Sequence, residues 1–158
     1  MTDRQFTAKQ WLNRLQTHDE ILKAERRTLE MLEAKLYKGV AIYEGSGAHI
    51  DAFTAHSAQE DALADYSAQI DRIQAAENAY LKEVEQTHKI IEQIPEELQA
   101  VAIDRYINGI SWEKLEIIHC YSRSSLMRHN LLILDSIADI LSATTTELTL
   151  TAQATAAG

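Results

Sequence analysis

The sequence predicts an all-α protein, with an N-terminal antiparallel helical hairpin in coiled-coil register followed by a C-terminal helix-turn-helix. Three observations predict it. The 158 residues include only one proline and five glycines, while Ala, Leu, Ile, Glu and Gln abound, so little interrupts a helix. Leu15, Leu22, Leu29 and Leu36 recur every seven residues, the spacing of an interhelical seam. Between Pro95 and Leu141, two helix starts opened by Ser111 and Ser122 lie eleven residues apart, leaving room for about two helical turns between them.

The first helix is expected from about Thr7 to Lys38, with Trp11 and Leu32 at the second seam position and His18 and Glu25 breaking it. A flexible loop is expected near residues 39–51, where Gly45, Ser46 and Gly47 cluster. The second helix follows a capping box of Ser57 and Glu60, and Leu63, Tyr66, Ile70, Ile73, Tyr80, Val84, Ile91 and Ile94 keep a 3-4 spacing interrupted by Glu77 and Thr87. Residues 3–38 hold eight basic and six acidic groups, and residues 44–92 three and ten. Opposite net signs favour pairing of the two helices, although exposed ion pairs contribute little individually. One hairpin buries a single seam, so its outer apolar positions are expected to meet a second copy or the C-terminal domain.

The domain boundary is placed between residues 94 and 95. Pro95 with Glu96 and Glu97 suits a helix start, and Asn108 and Gly109 suit its end. Ser111 is then an N-cap with Ile110 stapled onto Leu115, and Ser122 an N-cap with Tyr121 stapled onto Leu126. The chain must turn at His119, Cys120 and Tyr121. In the last helix Leu126, Ile133, Ile137 and Ile140 make one face, and Leu131, Leu132, Leu134 and Leu141 extend the apolar surface around the cylinder. Residues 142–158 are Thr/Ala-rich and read as a disordered tail, in which Leu148 and Leu150 are available to a partner.

Composition excludes several function classes. No window approaches the roughly 20 apolar residues of a membrane span and no leader pattern is recognised, so a cytoplasmic protein that does not enter the membrane is expected. The single cysteine, Cys120, allows no intrachain disulfide and no zinc set, and His119 and His129 have no further ligands near them in sequence. No metal or cofactor is expected. The carboxylates of Glu83, Glu85 and Glu92 are paired with no activated nucleophile, so no enzyme activity is expected. The net charge of −9 opposes nucleic-acid binding, which rests on phosphate neutralisation. The opposition is relieved locally, because residues 123–134 carry Arg123, Arg128 and His129 and no acid.

The segment Arg105-Tyr106-Ile107, Ser111-Trp112-Glu113 and Tyr121-Ser122-Arg123-Ser124 resembles the sigma-factor region 4 type of helix-turn-helix. It looks closest to small phage and prophage proteins of Gram-positive bacteria that carry a coiled-coil N-terminus. Three positions depart from the pattern: Glu116 replaces a small alanine, His119 a leucine and Cys120 the glycine of the turn. A left-handed conformation at Cys120 costs on the order of 1 kcal/mol. The resemblance implies a late-gene type of transcriptional regulator, without the regions by which a complete sigma factor melts a promoter.

In a helix-turn-helix the second helix enters the major groove. The DNA-binding residues expected here are Ser122, Arg123, Ser124, Ser125, Met127, Arg128 and His129, with Arg128 reaching guanine and the serines phosphates or base edges. Trp112 is expected in the core. The expected partners are double-stranded DNA, RNA polymerase and a second copy of the chain in a dimer, because a monomer this acidic should bind DNA weakly. Two other roles fit the same pattern: a DNA-packaging component resembling a small terminase subunit, and an interaction module that binds RNA polymerase without touching DNA.

Overall fold

A computed structural model describes the backbone of residues 1–45 and 52–157 and the side chains of residues 1–38 and 57–157. The protein is all-α. Among the described residues there is no strand, and the order is α1 (Asp3–Gly45), α2 (Ala52–Ile91), α3 (Glu96–Ala102) with a π-helical continuation (Ile103–Ile107), α4 (Trp112–His119) and α5 (Arg123–Ala156). None of the helices searched among these residues is long and apolar enough to cross a membrane.

The chain divides into two compact units, Met1–Thr17 with Lys82–Gly158, and His18–Leu81. The division is not the expected one at residue 94, because the ends of α1 and α2 belong with the C-terminal helices. Part of the expected loop, residues 39–45, continues α1, and residues 46–51 lie outside the described residues. Helix α2 reaches back to Ala52, so Ser57 lies inside it and is not its N-cap.

In the unit His18–Leu81, the heptad positions Leu22, Leu29, Leu32 and Leu36 are buried or half-buried, as are Tyr66, Ile70, Ile73 and Tyr80 on α2, whereas Leu63 remains exposed. Gln69 is 1% exposed. Its Nε2 donates to the Glu25 carbonyl at 2.9 Å and to Glu25 Oε2 at 2.5 Å. The seam break at Glu25 is thereby met by a polar partner, since a buried amide without one is costly. Tyr66 donates to Glu33 at 2.9 Å and Arg26 pairs with Glu77 at 2.7 Å, so the α1 and α2 segments of this unit run antiparallel.

The other unit owns the main core. Ala8 and Leu12 of α1, Ile91 of α2, Leu98 and Val101 of α3, Leu115 of α4 and Leu126, Ile133, Leu134 and Ile137 of α5 form one buried cluster. The wide apolar surface of α5 is covered in part by the start of α1. Beside Ala8, Gln5 Nε2 donates to Asp135 Oδ1 at 2.9 Å, and Arg4 pairs with Asp139. Leu131 and Leu132 stay exposed.

Helix α5 does not end near Leu141. It continues to Ala156, where a disordered tail was expected. The sequence argued against this because threonine is a weak helix former. The threonine hydroxyls donate back to carbonyls one turn earlier, as Thr144 to Ile140 and Thr145 to Leu141, both at 2.9 Å, which satisfies them within the helix.

Between α4 and α5 Cys120 adopts φ 53° and ψ 35°. This is the left-handed conformation that glycine holds without penalty. Replacing Cys120 by glycine is expected to raise stability by about 0.5–1 kcal/mol, the relief of side-chain strain less the added freedom of the unfolded chain. The midpoint of urea denaturation measures it, and a fall in the midpoint would show that the turn is not strained.

Candidate nucleic-acid interface

The candidate surface is the N-terminal end of α5, and the segments before it fix its position. Pro95 precedes α3, and Glu96 and Glu97 fall in its first turn, where carboxylates suit the positive end of the helix dipole. The helix then widens into π geometry, with the Asn108 amide donating to the Ile103 carbonyl at 3.0 Å. Gly109 ends it at φ +67°. The Ile110 amide reaches back to the Asp104 carbonyl at 2.9 Å, so the connection folds tightly over the end of the helix.

Ser111 occupies the N-cap position of α4 with extended backbone, but its hydroxyl makes no capping bond. The start of α4 is held from the other side. Arg105 Nη1 donates to the Ile110 carbonyl at 3.0 Å, and its guanidinium lies 4.8 Å from the centre of the Trp112 ring. Trp112 is half-buried against the core, as expected. At the other end of α4, His119 Nε2 is 2.9 Å from Asp104 Oδ2, and the same carboxylate accepts from Asn108 Nδ2 at 3.0 Å through Oδ1. Asp104 and Arg105, side by side on one π turn, therefore fasten the two ends of α4.

Ser122 is the cap that the sequence indicates. Its hydroxyl accepts from the Ser125 amide at 3.2 Å. It also lies 3.2 Å from the Ser124 hydroxyl. Tyr121 is exposed, its ring edge-on to His129 with centroids 4.8 Å apart. Leu126, the expected partner of the Tyr121 staple, is fully buried, as is Leu115 on α4.

Of the seven expected contact residues, Ser122, Arg123, Ser124 and Arg128 are exposed, and Ser125 and Met127 are half-buried. His129 is half-buried beside Tyr121, and its Nδ1 is shut off from solvent without a hydrogen-bond partner. Among the described residues, Arg123 and Arg128 make no hydrogen bond or ion pair with other side chains, and Lys114 on α4 is likewise exposed. No three His, Cys, Asp or Glu side chains among the described residues gather where they could hold a metal ion.

The buried pair Tyr106 and Asn130 was not anticipated. Tyr106 is 5% exposed and donates to Asn130 Oδ1 at 2.5 Å, tying the end of α3 to the second turn of α5. The signal was present: Asn130 interrupts the stripe Leu126, Ile133 and Ile137, and a polar residue within an apolar stripe needs a buried partner. Burial pushes the Tyr106 hydroxyl up to about 12, against the smaller opposing effect of the Arg105 charge.

A tyrosine of an unfolded chain ionises near pH 10. Between there and about 12 the folded protein still holds the proton that the unfolded chain has released. The stability due to this group is therefore complete below about pH 10 and falls by about 1.4 kcal/mol per pH unit as pH rises toward the folded value. Tyr106→Phe is expected to lose this dependence, and to cost about 1–3 kcal/mol at neutral pH by leaving the Asn130 carbonyl buried without a donor. Denaturation midpoints of both proteins across pH 8–12 test this; parallel curves would contradict it.

Compared with protein-family models, curated proteins and solved structures, the chain shows no significant match to any of them.

Proposed function

We propose that the protein is a DNA-binding transcriptional regulator of the phage type, in which α4 and α5 act as a sigma region 4-like helix-turn-helix and α5 reads the major groove. The observation that carries this reading is the start of α5. It presents Arg123 and Arg128 unpaired among the described residues, with Ser122 and Ser124 exposed beside them, and residues 123–134 contain no acid. Exposed, uncompensated arginines at the N-terminal end of a helix match how such a helix meets phosphates and guanine edges. The acidic remainder of the chain is reconciled with DNA binding by association: a second copy doubles the number of basic tips and raises the local concentration of the second once the first is bound.

A protein partner is a second part of the proposal, favoured by one observation. Ile117 and Ile118 on α4 are 79% and 54% exposed, a pair of adjacent large apolar residues available to RNA polymerase or another protein. The test is titration of a fluorescent mixed-sequence duplex with the full chain at several salt concentrations. Affinity is expected to fall steeply with salt, with log K linear in log salt. Absence of binding at low salt, together with co-purification of polymerase, would replace the DNA reading by the interaction-module reading. A closed ring of many copies in solution would favour a packaging component.

A further inference from the structure

We infer that the exposed leucines of α5, Leu131 and Leu132, read the C5 methyl group of thymine beside a guanine contacted by Arg128, so that the recognised site joins G·C and A·T pairs. This rests on the DNA reading given above. Leu131 and Leu132 are 40% and 53% exposed. An exposed leucine alone requires no explanation. Their placement does, because they stand three and four residues after Arg128, which itself stands four after Ser124, so all four share one face of the helix.

That face changes character along its length. It begins with the polar Ser124 and the cationic Arg128, passes to Leu131 and Leu132, and then meets Asp135 and Asp139 on the same side. Asp135 accepts from Gln5 and Asp139 pairs with Arg4, so the acidic end is engaged by α1. From Ser124 to Leu132 the helix rises about 12 Å, which spans three or four base pairs at about 3.4 Å each. Beyond that length the carboxylates would oppose phosphates. The usable face is therefore short, with a guanidinium at its middle and aliphatic carbon at its far end.

The ligand must match both. Phosphates and sugar hydroxyls offer nothing to a leucine, and water gains nothing by being replaced there. On the major-groove floor the thymine methyl is the apolar group, while guanine O6 and N7 accept from arginine in the same groove. From Ser124 to Leu132 this face carries Arg128 and no acid, so its charge is opposite to that of DNA.

Duplexes selected by the full-length protein from a randomised pool are amplified twice, once with dTTP and once with dUTP. The two sets then share every sequence and differ only by the thymine methyl. The wild-type protein is expected to bind the thymine set about fourfold more tightly for each methyl contacted, the value of one buried carbon. The Leu131→Ala/Leu132→Ala double variant, altered only at exposed positions, is expected to lose that ratio. Arg128→Ala is expected to weaken binding to both sets and to keep the ratio. Equal affinity of the wild type for both sets, or a ratio that persists in the leucine variant, overturns the inference while leaving DNA binding intact. Failure to select or retain any duplex overturns the DNA reading, and this inference with it.

Discussion

Leu126→Ala is expected to destabilise the C-terminal unit by about 2–5 kcal/mol, the range for truncating a fully buried leucine that leaves a cavity behind. Leu126 is 0% exposed and lies in the cluster that joins α1, α3, α4 and α5. Because domains have only about 5–15 kcal/mol in total, the change should bring a large fraction of molecules to the unfolded state on mild warming. Chemical denaturation followed by circular dichroism reads it. A loss below about 0.5 kcal/mol, the size of an ordinary surface substitution, would mean that the helices do not pack as described. Leu132→Ala is the contrasting control. Leu132 is exposed, and its truncation should leave the denaturation midpoint almost unchanged.

The second large effect concerns DNA and leaves the fold alone. Arg128→Ala is expected to weaken duplex binding by about 1–3 kcal/mol, or roughly 5- to 150-fold, and to relax sequence preference at one position. Arg123→Ala should weaken binding to all sequences more evenly and reduce the salt slope by about one, as expected of a phosphate contact. Both side chains are exposed and have no partner among the described residues, so neither change removes an interaction that supports the fold. Unaltered affinity in the Arg123→Ala/Arg128→Ala double variant, with an unaltered denaturation midpoint, would place any DNA binding elsewhere on the molecule.

How much was legible in the sequence follows from which signals are local. The heptad leucines, the Ser122 cap, Gly109 at positive φ and the left-handed Cys120 each depend on a few neighbouring residues, and each is found where the pattern places it. What failed depended on distant residues or on competition between weak local terms. Ser111 has the right residue type and backbone, but Arg105 and Trp112 hold the start of α4 while the serine makes no capping bond. The expected boundary at residue 94 followed composition, whereas Ala8 and Leu12 pack in the same cluster as Leu134 and Ile137. That contact joins residues more than a hundred positions apart and leaves no local trace.

The tail shows the limit of propensity. Threonine-rich sequence reads as irregular, yet α5 extends through it, with hydroxyls turned onto the helix's own carbonyls. The candidate interface was legible in outline because the run from Arg123 to Arg128 is contiguous in sequence. Its finer division was not. The burial of the His129 ring beside Tyr121 and the exposure of Leu131 and Leu132 follow from which side of α5 the core takes up, and this is set by tertiary packing.

The most direct test of the central claim is titration of the isotopically labelled full-length chain with a selected duplex, followed residue by residue through its amide resonances. Perturbations are expected to concentrate between Ser122 and Leu132 and at the adjoining turn, and to vanish in the Arg123→Ala/Arg128→Ala variant. Perturbations confined to α1 and α2, or none at a duplex concentration that saturates binding, would contradict it.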